Sequence, residues 1–177
     1  MKRRPTPKAE NTDRLDELLN RAKAEAAAEI HNLYSYAADR CESPIEKILV
    51  AEFVRPWTTL SWDTRPEILI PPSGSIEHVQ APPMDGVYLW PQIAIGPYRV
   101  DFVVGVNVLD RPTSYAIVEC DGHDYHERTK EQAQRDKARD RYLTGKGFRI
   151  LRYTGSEIYR DPEAIWNEII SILMGHG

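Results

Sequence analysis

The sequence predicts an α/β fold: a mixed central β-sheet flanked by helices, with an added helix at the N-terminus. From residue 44 onward its elements read helix, strands, helix, strand, helix. The apolar strand Ser114–Asp121, the polar helix after it and the strand Phe148–Tyr153 can form a right-handed parallel crossover. The length of 177 residues suits one domain with an appendage.

Residues 1–10 are basic and proline-containing and are expected to be a disordered tail. Residues 11–40 form an N-terminal helix that Asn11 or Thr12 can cap. Leu15, Leu19, Ala22, Ala26, Ile30 and Leu33 recur there at helical spacing. Such a helix could pack on the body or pair with a second copy as a homodimer. Residues 41–177 make up the remaining domain. It opens at Ser43-Pro44-Ile45-Glu46, where Ser caps, Pro suits the first turn and Glu completes a capping box. Glu52 falls within the apolar stripe of that helix, an unusual place for a carboxylate.

Residues 56–92 form a proline-rich insertion, with short strands expected at Ile68–Ile70 and Val87–Trp90 and a further one at Gln92–Ile95. Tyr98–Val108, Ser114–Asp121 and Phe148–Tyr153 are the clear strands. A helix near Thr129–Leu143 stops at Gly145 and Gly147. Asp161 and Pro162 open the last helix, which buries Ile165, Trp166, Ile169, Ile170 and Leu173.

No apolar run approaches the ~20 residues of a membrane helix, and nothing apolar follows the basic MKRRPTPKAE start as a secretory signal requires. Two cysteines, Cys41 and Cys120, make no disulfide framework, so a cytoplasmic protein without a membrane partner is expected. The net charge of −4 excludes a nonspecific polycation. Its distribution is uneven: residues 41–122 carry 5 basic and 11 acidic side chains, residues 123–153 carry 9 and 5. Acid clusters attract divalent cations and basic ones attract phosphates.

Three acids stand where stability alone would not put them. Asp101 interrupts a valine-rich strand, and Glu119 and Asp121 close the next one on a single face. A buried unpaired carboxylate is costly, and a divalent cation removes that cost with hard oxygen ligands. Asp101, Glu119 and the Cys120 backbone carbonyl could serve one ion. His123 and His126 follow at once and could act as general base or acid. With Cys120 they also have a tight zinc-like spacing that lacks a clear fourth ligand. The next helix is rich in Arg and Lys. Arg128, Arg135 and Arg139 share one face, and Lys130 and Lys137 lie roughly opposite, positions suited to a phosphate backbone.

The strings SPIEK, IGPYRVDFVV and IVECDGHDYHERTKEQAQRDKARDRYLTGKGFRILRYTGSEI resemble the endonuclease-like domains related to the very-short-patch-repair (Vsr) nucleases, of the PD-(D/E)XK superfamily. The resemblance covers roughly residues 43–165 and implies a restriction-endonuclease-like core. It implies Glu46 as the acid on the first helix, Asp101 as the central metal ligand and Glu119 as the first acid of the E-x-K-type motif. Asp121 takes the position where many members have Lys, which leaves the general-base role to groups such as His123, His126, Gln134 or Lys137. The expected activity is hydrolysis of DNA phosphodiester bonds with Mg²⁺ or Mn²⁺. The alternative is a non-catalytic module on the same scaffold that binds nucleic acid or protein.

Overall fold

Val, Ile and Phe dominate residues 98–107 and 114–118, and these residues form the middle of a five-stranded sheet. A computed structural model of the chain describes residues 7–55, 67–68, 85–108, 111–122 and 129–175. Its strands are β1 (Glu67–Ile68), β2 (Gly86–Ile95), β3 (Tyr98–Asn107), β4 (Ser114–Asp121) and β5 (Arg149–Thr154), in the order β1-β2-β3-β4-β5. β1–β2 and β4–β5 pair parallel; β2–β3 and β3–β4 pair antiparallel. The sheet is therefore mixed, and β4 reaches β5 through a helix as expected. This is the restriction-endonuclease-like α/β arrangement with an added N-terminal helix.

The helices are α1 (Pro7–Ala38), α2 (Pro44–Val54), α3 (Lys130–Gly145), α4 (Gly155–Arg160) and α5 (Pro162–Met174). Two apolar clusters fill the two faces of the sheet. One lies under α2, α4, α5 and the end of α1, and contains Leu49, Phe53, Phe102, Val118, Ile158 and Trp166. Trp166 Nε1 donates to the Leu49 carbonyl at 2.7 Å, and its ring lies 5.0 Å from that of Phe53, tying α5 to α2. The other cluster holds Tyr88, Trp90, Ile93, Val103, Ile117 and Leu143, beneath α3.

Several expectations change. α1 starts at Pro7, so residues 7–10 belong to the helix rather than to a tail, and Asn11 and Thr12 lie inside it. Among its described side chains, those of the last turns meet the body, through Ile30, Leu33, Tyr34 and Ala37; Leu18 and Leu19 are exposed. The expected strand Ile68–Ile70 is described only at Glu67–Ile68, and the rest of the proline-rich insertion up to residue 84 lies outside the described residues. Val87–Trp90 and Gln92–Ile95 are one strand, not two. Pro91 lies within that strand opposite Phe102 of β3, past the last described β1 partner, Leu89. α4 was not expected, although its Thr154–Glu157 capping box is a readable signal. Glu52, odd within an apolar stripe, forms an ion pair with Arg55 at 2.5 Å.

Candidate active site at a fork between two strands

The β3–β4 ladder stops at Phe102 opposite Val118, while β3 continues along β2 and β4 continues along β5. Asp101 and Glu119 are the next residue on each strand. The Asp101 side chain closes the gap: its Oδ2 accepts from the Cys120 N–H at 2.8 Å, taking the donor that the ladder has lost.

Glu46 arrives from α2. Its Oε1 accepts from the Ser43 hydroxyl at 2.7 Å and its Oε2 from the Glu42 N–H at 3.0 Å, so Ser43 caps the helix as expected but Glu46 turns to the N–H one residue before the cap rather than to that of Ser43 itself. The same Oε2 accepts from Gln92 Nε2 at 2.6 Å, and that nitrogen lies 3.4 Å from Asp101 Oδ1. Capping thus does not exhaust Glu46: it is 4% exposed and reaches the strand acids through Gln92. Sequence reading missed Gln92, because nothing in a strand pattern singles out one amide.

Glu119 is 7% exposed. Its Oε1 accepts from Arg139 Nη2 at 2.6 Å, and the same guanidinium donates to the Arg99 carbonyl at 2.7 Å. Arg139 was expected on a phosphate-binding face; it lies instead against the carboxylate at the end of β4. Tyr142, one turn along α3, seats the helix on the β2–β3 turn. Its ring meets Tyr98 edge-on with centroids 5.4 Å apart. Its hydroxyl rests on Gly96 in the β2–β3 turn, where φ is +57° and a Cβ would overlap it.

Burial pushes the Glu119 carboxyl up to about 7, although Arg139 pulls it down. Burial also raises Asp101, against the Cys120 N–H bond, and the nearby Glu46 charge adds to the rise. The Cys120 thiol is pushed far up by burial and by the Asp101, Glu46 and Glu119 charges. The charges of all three acids are thus felt at the Cys120 thiol.

The other expected site residues distribute unevenly. Asp121 is partly exposed at the end of β4. Lys130, Arg135 and Lys137 are exposed on α3, and Arg139 alone of the described α3 cations meets the acid cluster. His123, His126 and Arg128 lie outside the described residues, and the zinc-like spacing lies outside with the two histidines. Among the described residues no group of three His, Cys, Asp or Glu side chains stands ready to hold a metal ion. The donor chemistry nevertheless fits a hard divalent cation, since Asp101 and Glu119 are carboxylates at adjoining positions of neighbouring strands in a poorly solvated place that disfavours their charge. The oxygens of the three acids meet Ser43, the Glu42 N–H and Gln92 at Glu46, the Cys120 N–H and Gln92 at Asp101, and Arg139 at Glu119.

A mixed sheet flanked by helices, with buried acids at a fork between neighbouring strands, defines a nuclease-like α/β domain. The pattern of the restriction-endonuclease-like family REase_MTES_1575 matches residues 82–173. That span is more than half of the chain and takes in β2 to α5, with Asp101, Glu119 and Arg139. The chain belongs to this family, which supports a PD-(D/E)XK-type nuclease domain. No curated protein and no solved structure is similar enough to count as a match. Among the described residues, no helix is long and apolar enough to cross a membrane.

Proposed function

We propose that this chain is a metal-dependent endonuclease that hydrolyses DNA phosphodiester bonds with Mg²⁺ or Mn²⁺. The observation that carries the reading is the placement of Asp101 and Glu119 on neighbouring strands at the β3–β4 fork, with Glu46 joined to Asp101 through Gln92, in a chain of restriction-endonuclease-like family. The likeness of the 119–158 block to the very-short-patch-repair nucleases belongs to the same proposal.

Asp101 and Glu119 would hold the ion, with the Cys120 carbonyl beside them. A divalent cation supplies Lewis acidity toward a phosphoryl oxygen in such a site. Asp101 is held in orientation by the Cys120 N–H, so it has one oxygen committed and one facing the Gln92 amide that also binds Glu46. Arg139 supplies a fixed positive charge beside Glu119. Asp121 stands where a lysine is common, so Arg139 is the described cation best placed to balance negative charge on a phosphate. Lys130, Arg135 and Lys137 would track the DNA backbone without reading its sequence, and binding should weaken steeply with salt. His123 and His126 remain candidates for proton transfer.

Plasmid incubated with Mg²⁺ or Mn²⁺ tests the reading: the wild type should nick or linearise it, and Asp101→Ala and Glu119→Ala should not. Equal cleavage by all three would sink it. The departure from lysine at Asp121 favours a second reading, a non-catalytic module that binds nucleic acid or protein. Calorimetry separates them, since such a module need not bind Mn²⁺ at millimolar concentration.

A further inference from the structure

We infer that Gln92 is a positioning residue of the carboxylate site, and that β2 adopts a left-handed backbone at this residue to aim its amide between two acids. The inference rests on the metal-dependent reading above. Gln92 has φ 49°, and among the described residues no other non-glycine has a positive φ. That region is sparsely populated by side chains other than Asn, Asp and His, and strain of this kind persists where surroundings enforce it.

Strand pairing does not demand the strain. Pro91 faces Phe102 and Ile93 faces Val100, so one register runs through on both sides and no residue is inserted as in a bulge. That register puts Gln92 opposite Asp101. The left-handed residue instead changes which face each side chain takes. Tyr88 and Trp90 pack in the cluster beneath α3, and so do Ile93 and Ile95. Strict alternation would have sent Ile93 and Ile95 to the other face, where Leu89 lies. β3 switches at the same level: Val103 and Val100 share the α3-side cluster, whereas Phe102 and Val104 face α2. Gln92 and Asp101 are thus the paired hinge of a two-strand face switch, and the switch turns Gln92 toward α2.

There the amide meets Glu46 at 2.6 Å and Asp101 at 3.4 Å. With anionic oxygens as neighbours, the facing atom must be the NH₂, which has two donors. A lysine or arginine here would neutralise the acids and compete with a cation. A neutral amide holds both carboxylates in place and leaves their net charge for the ion.

Two variants separate this role from backbone fit. Gln92→Gly suits the left-handed φ and removes the amide. Gln92→Asn also tolerates that φ and keeps an amide one methylene shorter. Melting temperature and Mn²⁺ affinity by calorimetry are measured for both and for the wild type. Gln92→Gly should melt at or above the wild-type temperature yet bind Mn²⁺ at least tenfold more weakly, with Gln92→Asn between the two. Wild-type Mn²⁺ affinity in a folded Gln92→Gly, or in Gln92→Asn should the glycine variant not fold, overturns the positioning role alone. Failure of the wild type itself to bind Mn²⁺ at millimolar concentration overturns the metal reading and this inference together.

Discussion

Glu119 and Arg139 show how one buried pair links stability to pH. The Glu119 carboxyl is raised from 4.5 to about 7, because loss of hydration outweighs the guanidinium 2.6 Å away. A raised acid favours the folded state when protonated. Its contribution is therefore complete below pH 4.5 and is lost as pH rises through about 7. In metal-free protein, urea titrations should show stability falling across that window by up to about 3 kcal/mol from this group. Saturating Mn²⁺ should reverse the trend, since a bound cation favours the ionised acid. Arg139→Ala adds a second outcome. It leaves Glu119 without its charged partner, so it should cost about 1–3 kcal/mol at pH 8. At pH 5, where Glu119 is already neutral, the cost should be clearly smaller. An equal cost at both pH values would mean that Arg139 acts through its bond to the Arg99 carbonyl and not through the acid.

At the scale of elements, Gly96 decides how α3 sits. Its φ of +57° and the Tyr142 hydroxyl against it leave no room for a side chain. Gly96→Ala should lower stability by about 1–3 kcal/mol in denaturant titration, by strain and overlap together. Gly96→Ala/Tyr142→Phe should be less destabilised than the sum of the single changes, because the phenylalanine removes the overlapping oxygen. This contact has no sequence signal, whereas much around it does. Ser43–Glu46, Thr129–Gln132 and Asp161-Pro162 are local motifs whose caps form within a few residues, so they can be read directly. Asp101 and Glu119 stand out because carboxylates are rare inside apolar strands. Gln92 and the placement of Arg139 on Glu119 depend on contacts between distant segments and on a backbone angle that glutamine seldom takes. The same cause split β2 in two: Pro91 beside Gln92 looks like a break until the register with β3 is known.

Across the whole molecule, charge and burial separate into a compact body and a projecting helix. The acid excess of residues 41–122 includes Glu46, Asp101 and Glu119 at the fork, and the basic excess of residues 123–153 includes the helix that closes over it. α1 contributes little to that arrangement. Its 32 residues would span about 48 Å at 1.5 Å per residue. Residues 16–29 are exposed throughout, and packing on the body begins at Ile30. The exposed part has strong helix formers and an Arg21–Glu25 pair at 2.8 Å, yet a single solvated helix of that length is marginal in water. Removing residues 1–28 should therefore leave the melting temperature within about 2 °C of the full chain, since the described side chains it takes away, 16–28, are all exposed. Removing residues 1–40 takes away Ala37 and Ala38 and the packing of Ile30, Leu33 and Tyr34 against the core, so it should lower the melting temperature by several degrees or more. Thermal melts followed by circular dichroism distinguish the two. Mass in solution adds the partner question: if the exposed leucines at 18 and 19 pair with a second copy, the full chain runs as a dimer and the 29–177 fragment as a monomer. A melting temperature that falls equally for both truncations would show that the outer half of α1 is bound to something in the folded protein, and a second copy would then be the first occupant to test.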